Sequence, residues 1–322
     1  MSLKNILCGT LVFACSLSFV SCKAYKDNNS SKAGELPVSV AADSSSLNDY
    51  TSDIELNDSN YLLTIKDIYD HFDYYNGKTT TAINAGSALV KKGFKVLLID
   101  MDKQQNLTST ANITADGQYR EAKKTISDIL YELIKDRKPN YSEFVCHNDI
   151  NGFDYIASDK LLDSINPILD DYTKMNNGYN VFQRMFEDPI FQTYDYIIFD
   201  SKTAVDKISK CQIDSSDCAI IPVEPSAYAF DAVDRIIDKI CQNNHTKIMG
   251  ILINKTGQTA LAKDFLSIYN DTYKELVFKT QIPQRAAQVE KTPFDGIACV
   301  NRPHNTLAEY YMALADEIVE RT

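Results

Sequence analysis

The sequence predicts an α/β fold, a parallel sheet covered by helices on both faces, and three observations predict it. From about Tyr61 onward, short apolar runs alternate with amphipathic helical stretches, the order a layered α/β domain needs. Several of these runs are unbroken in Ile, Leu and Val, as strands buried on both faces are. Two of them end on aspartates, Asp100 and Asp200, at the strand ends where parallel sheets gather their ligands.

The expected strands are Lys95–Asp100, Phe153–Ala157, Tyr196–Asp200, Ala219–Val223, Ile248–Asn254 and Val277–Ile282. Thr79–Lys92 reads as a helix because Ala82, Ile83, Gly86, Leu89 and Val90 share one face, and Gly93 stands where a C-terminal cap belongs. Further helices are expected at Ile126–Lys135, Ala229–Gln242, Leu261–Leu276 and Asn305–Glu320. No internal repeat is visible, and residues 61–322 of the 322-residue chain, 44% of which is hydrophobic, read as one domain.

A formal net charge of −11 argues against a strongly basic nucleic-acid surface. Arg285 and Arg302 are the candidate DNA contacts, since few arginines lie in that region. The C-terminal ALADEIVERT lacks the basic amphipathic character of a membrane-targeting tail. Cys146, Cys211, Cys218, Cys241 and Cys299 lack metal-type spacing and read as core cysteines, with a Cys211–Cys218 disulfide as the alternative.

Residues 1–22 read as an export leader. Lys4 gives a basic start, Ile6–Val20 is apolar but shorter than the roughly 20 residues a bilayer needs, and Phe19-Val20-Ser21-Cys22 resembles a lipobox with Cys22 as the lipid acceptor. The alternative is a buried or interfacial N-terminal helix. Residues 23–60, rich in Ser, Asn and Asp, read as a disordered polar linker.

The chemistry concentrates in Gly77-Lys78-Thr79-Thr80-Thr81. This is the closing half of a phosphate-binding loop opening directly into a helix, whose unpaired N–H groups and partial positive charge favour phosphate. Lys78 is placed to meet the β- and γ-phosphates of ATP, and the Thr79 hydroxyl to complete a Mg²⁺ shell. Asp100, Asp102 and Asp200 converge on the same edge as oxygen ligands for a hard cation; ordinary strand-ending aspartates are the alternative.

From about Gly77 to the C-terminus the chain resembles the ParA/MinD family of deviant Walker A partition ATPases. The resemblance is carried by GKTTTAIN, KVLLIDMDKQQNLTS, YDYIIFD, AIIPVEPSAYAFDAV, IMGILINK and FKTQIPQRAAQVE, in the family's order. It implies a P-loop NTPase-like fold binding ATP and Mg²⁺, with Gly77, Lys78, Thr79 and Thr80 on the phosphates. Lys78 and Asp102 would be catalytic, Asp102 by positioning the attacking water. Thr79, Asp100 and Asp200 would serve the metal, and Asn254 would read the adenine edge. It also implies a nucleotide-dependent homodimer, nonspecific DNA binding, a centromere-binding partner and a cytoplasmic location.

The sequence departs from the family before Gly77. Asp73 stands where the signature lysine belongs, and Tyr74 and Tyr75 where two glycines do. The stretch before the loop, Ile65–Tyr75, is polar and aromatic where the family's first strand is apolar, and Ser201-Lys202-Thr203 replaces the segment after the Walker B acid. His71 with Asp70 and Asp73 reads as a solvated loop rather than a metal cluster. Two functions follow: a partition ATPase with impaired nucleotide binding, or a non-catalytic pseudo-ATPase lipoprotein anchored to the membrane through Cys22.

Overall fold

A computed structural model describes residues 9–13, 77–176, 178, 180–202, 206–225, 233–234, 236–238, 240, 246–257 and 259–322. The linker 23–60, the segment 70–76 and Cys22 lie outside the described residues. Seven strands form one sheet: β1 (Gly9–Phe13), β2 (Val96–Met101), β3 (Val145–His147), β4 (Asp154–Ile156), β5 (Tyr196–Ser201), β6 (Cys218–Val223) and β7 (Lys247–Ile253). Their order is β3-β4-β2-β5-β1-β6-β7. Every pairing is parallel except that of the short edge strand β3 with β4.

The helices are α1 (Lys78–Lys91), α2 (Asn106–Ala111), α3 (Ile126–Ile134), α4 (Asn166–Met175), α5 (Val181–Phe186), α6 (Lys207–Asp214), α7 (Ala260–Tyr273) and α8 (Leu307–Arg321), with helical residues also within 233–240. Gly93 ends α1 as expected, its φ of 94° being one that favours glycine.

Strands β2 and β5 are buried along their whole length, and their alternating side chains feed two cores. Val96, Leu98, Tyr196 and Ile198 join α1 and α8 on one face. Leu97, Ile99, Ile197 and Phe199 join α3, α4 and α5 on the other. Beyond them, Ala219, Ile221, Ile251 and Ile253 pack with Val233, Ile236, Ile240 and Tyr269. This two-sided burial is why the strands are unbroken in apolar residues. Helix α1 lies so close to β2 that a Cβ at Gly86 would meet Leu98 Cδ2 at 2.9 Å, so glycine there sets the approach.

Two differences from the sequence reading stand out. Val277–Ile282 is not a strand. It makes an isolated bridge, Ile251↔Val277, and bonds from the Phe278 and Ile282 N–H groups to β7, while the Lys279 and Thr280 N–H groups between them donate to the Glu317 carboxylate at 2.9 and 3.0 Å instead of to a ladder. The second concerns Gly9–Phe13, in the apolar run read as part of a leader. It forms a strand between β5 and β6.

Candidate functional site

The site lies at the carboxyl ends of β2 and β5, facing the N-terminus of α1. Gly77 caps α1 with φ 74° and ψ 24°, a left-handed conformation that costs a side chain roughly 1–2 kcal/mol. A Cβ there would also stand 3.2 Å from Asn254 Nδ2, so conformation and space both call for glycine. No acidic residue occupies the first turn and no side chain caps it, which leaves the positive end of the helix facing the strand-end acids. Thr80 is half-buried, and its carbonyl accepts a 2.8 Å bond from Asn84 Nδ2.

Asp100 and Asp200 are register partners on adjacent strands, both almost wholly buried. Their surroundings differ sharply. Asp100 Oδ1 accepts the Asp102 N–H at 3.0 Å, while Oδ2 accepts the Thr108 N–H at 2.8 Å and the Thr108 hydroxyl at 2.7 Å. The Thr108 hydroxyl in turn accepts the Ser158 N–H at 2.9 Å. Burial raises the Asp100 pKa to about 6, with these bonds pulling it back.

Neither oxygen of Asp200 has a well-formed hydrogen bond among the described residues. Burial, then the charge of Asp100, pushes its pKa up to about 8, and the Thr79 hydroxyl and Lys78 ammonium only partly offset this. A buried carboxylate with unused lone pairs, facing a threonine hydroxyl and a lysine, has the donor chemistry that a hard divalent cation takes. The residues present therefore fit Mg²⁺.

The structure brings together Gly77, Lys78, Thr79, Asp100, Asp102 and Asp200. Asp102 is half-buried at the rim, its Oδ1 accepting the Gln104 N–H at 2.9 Å. Asn254 sits on the β7 side of the loop, 3% exposed, and its Nδ2 donates to Thr81 Oγ1 at 3.1 Å. It thereby ties the first turn of α1 to the end of β7.

Three further residues were not picked out from the sequence. Thr108 lies in the quoted KQQNLTS segment, and its spacing of eight residues from Asp100 is the only signal it gave. Asp163 and Lys202 gave none as a pair, since only folding brings them together. Lys202, 8% exposed, forms ion pairs with Asp163 and Asp206, and Asp163 also holds Lys103 at 2.8 Å. The loops after β2, β4 and β5 are thus tied across the carboxyl edge.

Arg302 is not available as the DNA contact the sequence suggested. Its guanidinium forks onto Asp295 at 2.7 and 2.8 Å and donates to the Ile297 carbonyl. Arg285 is exposed. Cys146, Cys211, Cys218 and Cys299 are free thiols. Tyr311 is core, at 2% exposure, while Tyr310 is 41% exposed.

Residues 76–249 match the AAA domain family AAA_31. The chromosome-partitioning ATPase Soj of Thermus thermophilus is 24% identical over 251 residues, covering 76% of this chain and 91% of Soj. The sporulation initiation inhibitor protein Soj of Bacillus subtilis is 25% identical over 253 residues, covering 75% and 93%. Among solved structures, an McdA–ATP complex from Cyanothece superposes with a TM-score of 0.63 at 22% identity, covering 77% of this chain and 92% of McdA. Similar in sequence to the Soj proteins over three quarters of its length, this chain belongs to the AAA_31 family of AAA domains.

Proposed function

We propose that this protein is an ATPase of plasmid or chromosome partition that binds ATP with Mg²⁺, hydrolyses it slowly, and couples that cycle to a homodimer switch. The observation that carries this reading is the bare, buried carboxylate of Asp200 facing Thr79 beside the uncapped start of α1. A purely structural aspartate would satisfy its oxygens, as Asp100 does on Thr108.

In this reading Gly77, Lys78 and Thr80 hold the phosphates through the helix N-terminus and the lysine ammonium. Thr79 and Asp200 would hold Mg²⁺, with Asp100 behind them, and the ion would supply charge neutralisation for the phosphates. Asp102 orients the attacking water from the rim. Asn254, at the end of β7 beside Gly77 and Thr81, reads the adenine edge, a role proposed by kinship. Nonspecific DNA and a centromere-binding protein are the partners proposed by kinship with the Soj proteins, and the cytoplasm is the location. Among the described residues no helix is long and apolar enough to cross a membrane.

Binding is impaired by the residues before Gly77. Asp73 in place of a lysine turns an attraction of about 4 kcal/mol, for charges about 4 Å apart at an effective dielectric near 20, into a repulsion of similar size. Tyr74 and Tyr75 add bulk where the loop's N–H groups must close on phosphate. Calorimetric titration of the full chain with ATP–Mg²⁺ should give a far weaker affinity than the Asp73→Lys/Tyr74→Gly/Tyr75→Gly variant. Equal affinities would overturn the impairment, and no binding by either would overturn the ATPase reading.

A further inference from the structure

The N-terminal apolar segment has two incompatible uses. As a leader it is removed when the Ser21–Cys22 bond is cut; as β1 it is the strand between β5 and β6. Its backbone pairs on both sides: Gly9 to Phe13 run parallel to Tyr196 to Asp200, and Leu11 to Phe13 run parallel to Cys218 to Ile220. Gly9–Phe13 and the residues from Gly77 onward fall in one compact unit. The composition agrees, since Thr10, Val12 and Phe13 favour strands.

Removing β1 would leave β5 and β6 about 10 Å apart, two strand spacings, with no other strand between them. Ile197, Ile198 and Phe199 on one side and Ala219 and Ile220 on the other are at most 1% exposed. Their facing N–H and C=O groups would lose their strand partners, and the apolar side chains packed beside them would be opened to water. The summed cost of several such groups exceeds the margin by which domains stay folded. Phe13 is also the register partner of Asp200, so β1 backs the strand that carries the metal acid at the point where it matters.

We infer that residues 9–13 are retained as the central strand of the working protein, so that lipid processing at Cys22 and the folded domain are mutually exclusive. The inference does not depend on nucleotide binding.

Leu11 is opposite Cys218, a free thiol, in the parallel register, and neighbouring strands hold Cα atoms about 4.8 Å apart, within disulfide reach. The test uses the full chain carrying Leu11→Cys, produced in a bacterium with lipoprotein processing. Mild oxidation should join the introduced thiol to Cys218, as read by peptide mass mapping, and the N-terminus of the soluble protein should lie upstream of Gly9 with no incorporated palmitate. Val12→Pro should separately lower Tm by at least about 10 °C or abolish cooperative melting, because proline is excluded from central strands. A palmitate-labelled chain starting at Cys22 that melts cooperatively, the lack of any crosslink to Cys218, or a Val12→Pro variant that melts like the parent would overturn the inference.

Discussion

Replacing Asp200 with asparagine should stabilise the metal-free protein at neutral and alkaline pH while removing its response to Mg²⁺. The carboxyl is fully buried and its pKa rises from 3.8 to about 8 on folding. The folded state therefore holds a proton that the unfolded state has lost anywhere between those values. Below pH 3.8 both states are protonated and Asp200 adds no penalty. As pH rises, stability falls by about 1.4 kcal/mol per unit, so by pH 7 the accumulated cost is roughly 4 kcal/mol. Asparagine cannot ionise and escapes this slope, but its amide hydrogens lack acceptors in the same place, a pH-independent cost of about 1–3 kcal/mol. The two effects cross in mildly acid conditions. Thermal melts of both full-length proteins in EDTA, without nucleotide, should show the variant equal or less stable near pH 5. By pH 8 it should melt several degrees higher, at about 2–4 °C per kcal/mol for a domain of this size. Adding Mg²⁺ and ATP should then raise the parent's Tm and leave the variant's unchanged. Parallel Tm–pH curves for the two proteins would refute the assignment of Asp200 as a buried, proton-holding carboxyl.

Thr108→Val keeps the shape but removes the hydroxyl that bonds Asp100 and the Ser158 N–H, and should cost about 2–4 kcal/mol in urea unfolding, increasingly so at higher pH as Asp100 loses a bond that favours its ionised form. Asp163→Asn leaves the nine-tenths-buried Lys202 with Asp206 as its carboxylate partner and should lower stability by about 2–4 kcal/mol, whereas Lys103→Met, which removes the more exposed pair with Asp163, should cost under about 1 kcal/mol.

The strands most legible in the sequence were those whose burial is decided locally. At β2 and β5, side chains go alternately into two cores, so every position must be apolar and the run announces itself. The acids that close those runs were legible for the same reason: a charge directly after four buried residues has few uses. Val277–Ile282 misled because its pattern is strand-like while its neighbours decide otherwise, and only isolated bridges to β7 and to Thr256 form. Gly9–Phe13 lies within the run read as a leader, and an apolar run near a basic start is the pattern of a leader and of a central strand alike. What separates the two is pairing with residues nearly two hundred positions away, which no local window contains. Lys202 and Asp163 were silent on the same ground: their pairing depends on sheet order, with β2 lying between β4 and β5.

The site is assembled against the stability of the fold, and this explains where its residues sit. Two carboxyls in register on adjacent strands repel, and burial penalises each further, so an isolated sheet would favour apolar residues at both positions. Asp100 meets that cost with three bonds from Thr108 and Asp102, and it is fixed in place by them. Asp200 keeps its cost, and its strand is paired on both sides, with β2 on one and β1 on the other. A strained acid is tolerable only where the surrounding backbone cannot move to relieve it. The chain before Gly77 has lost the loop glycines, yet the elements that hold Asp200 rigid remain, including the central strand contributed from residues 9–13. Relaxation of the acid pair would begin in those supports.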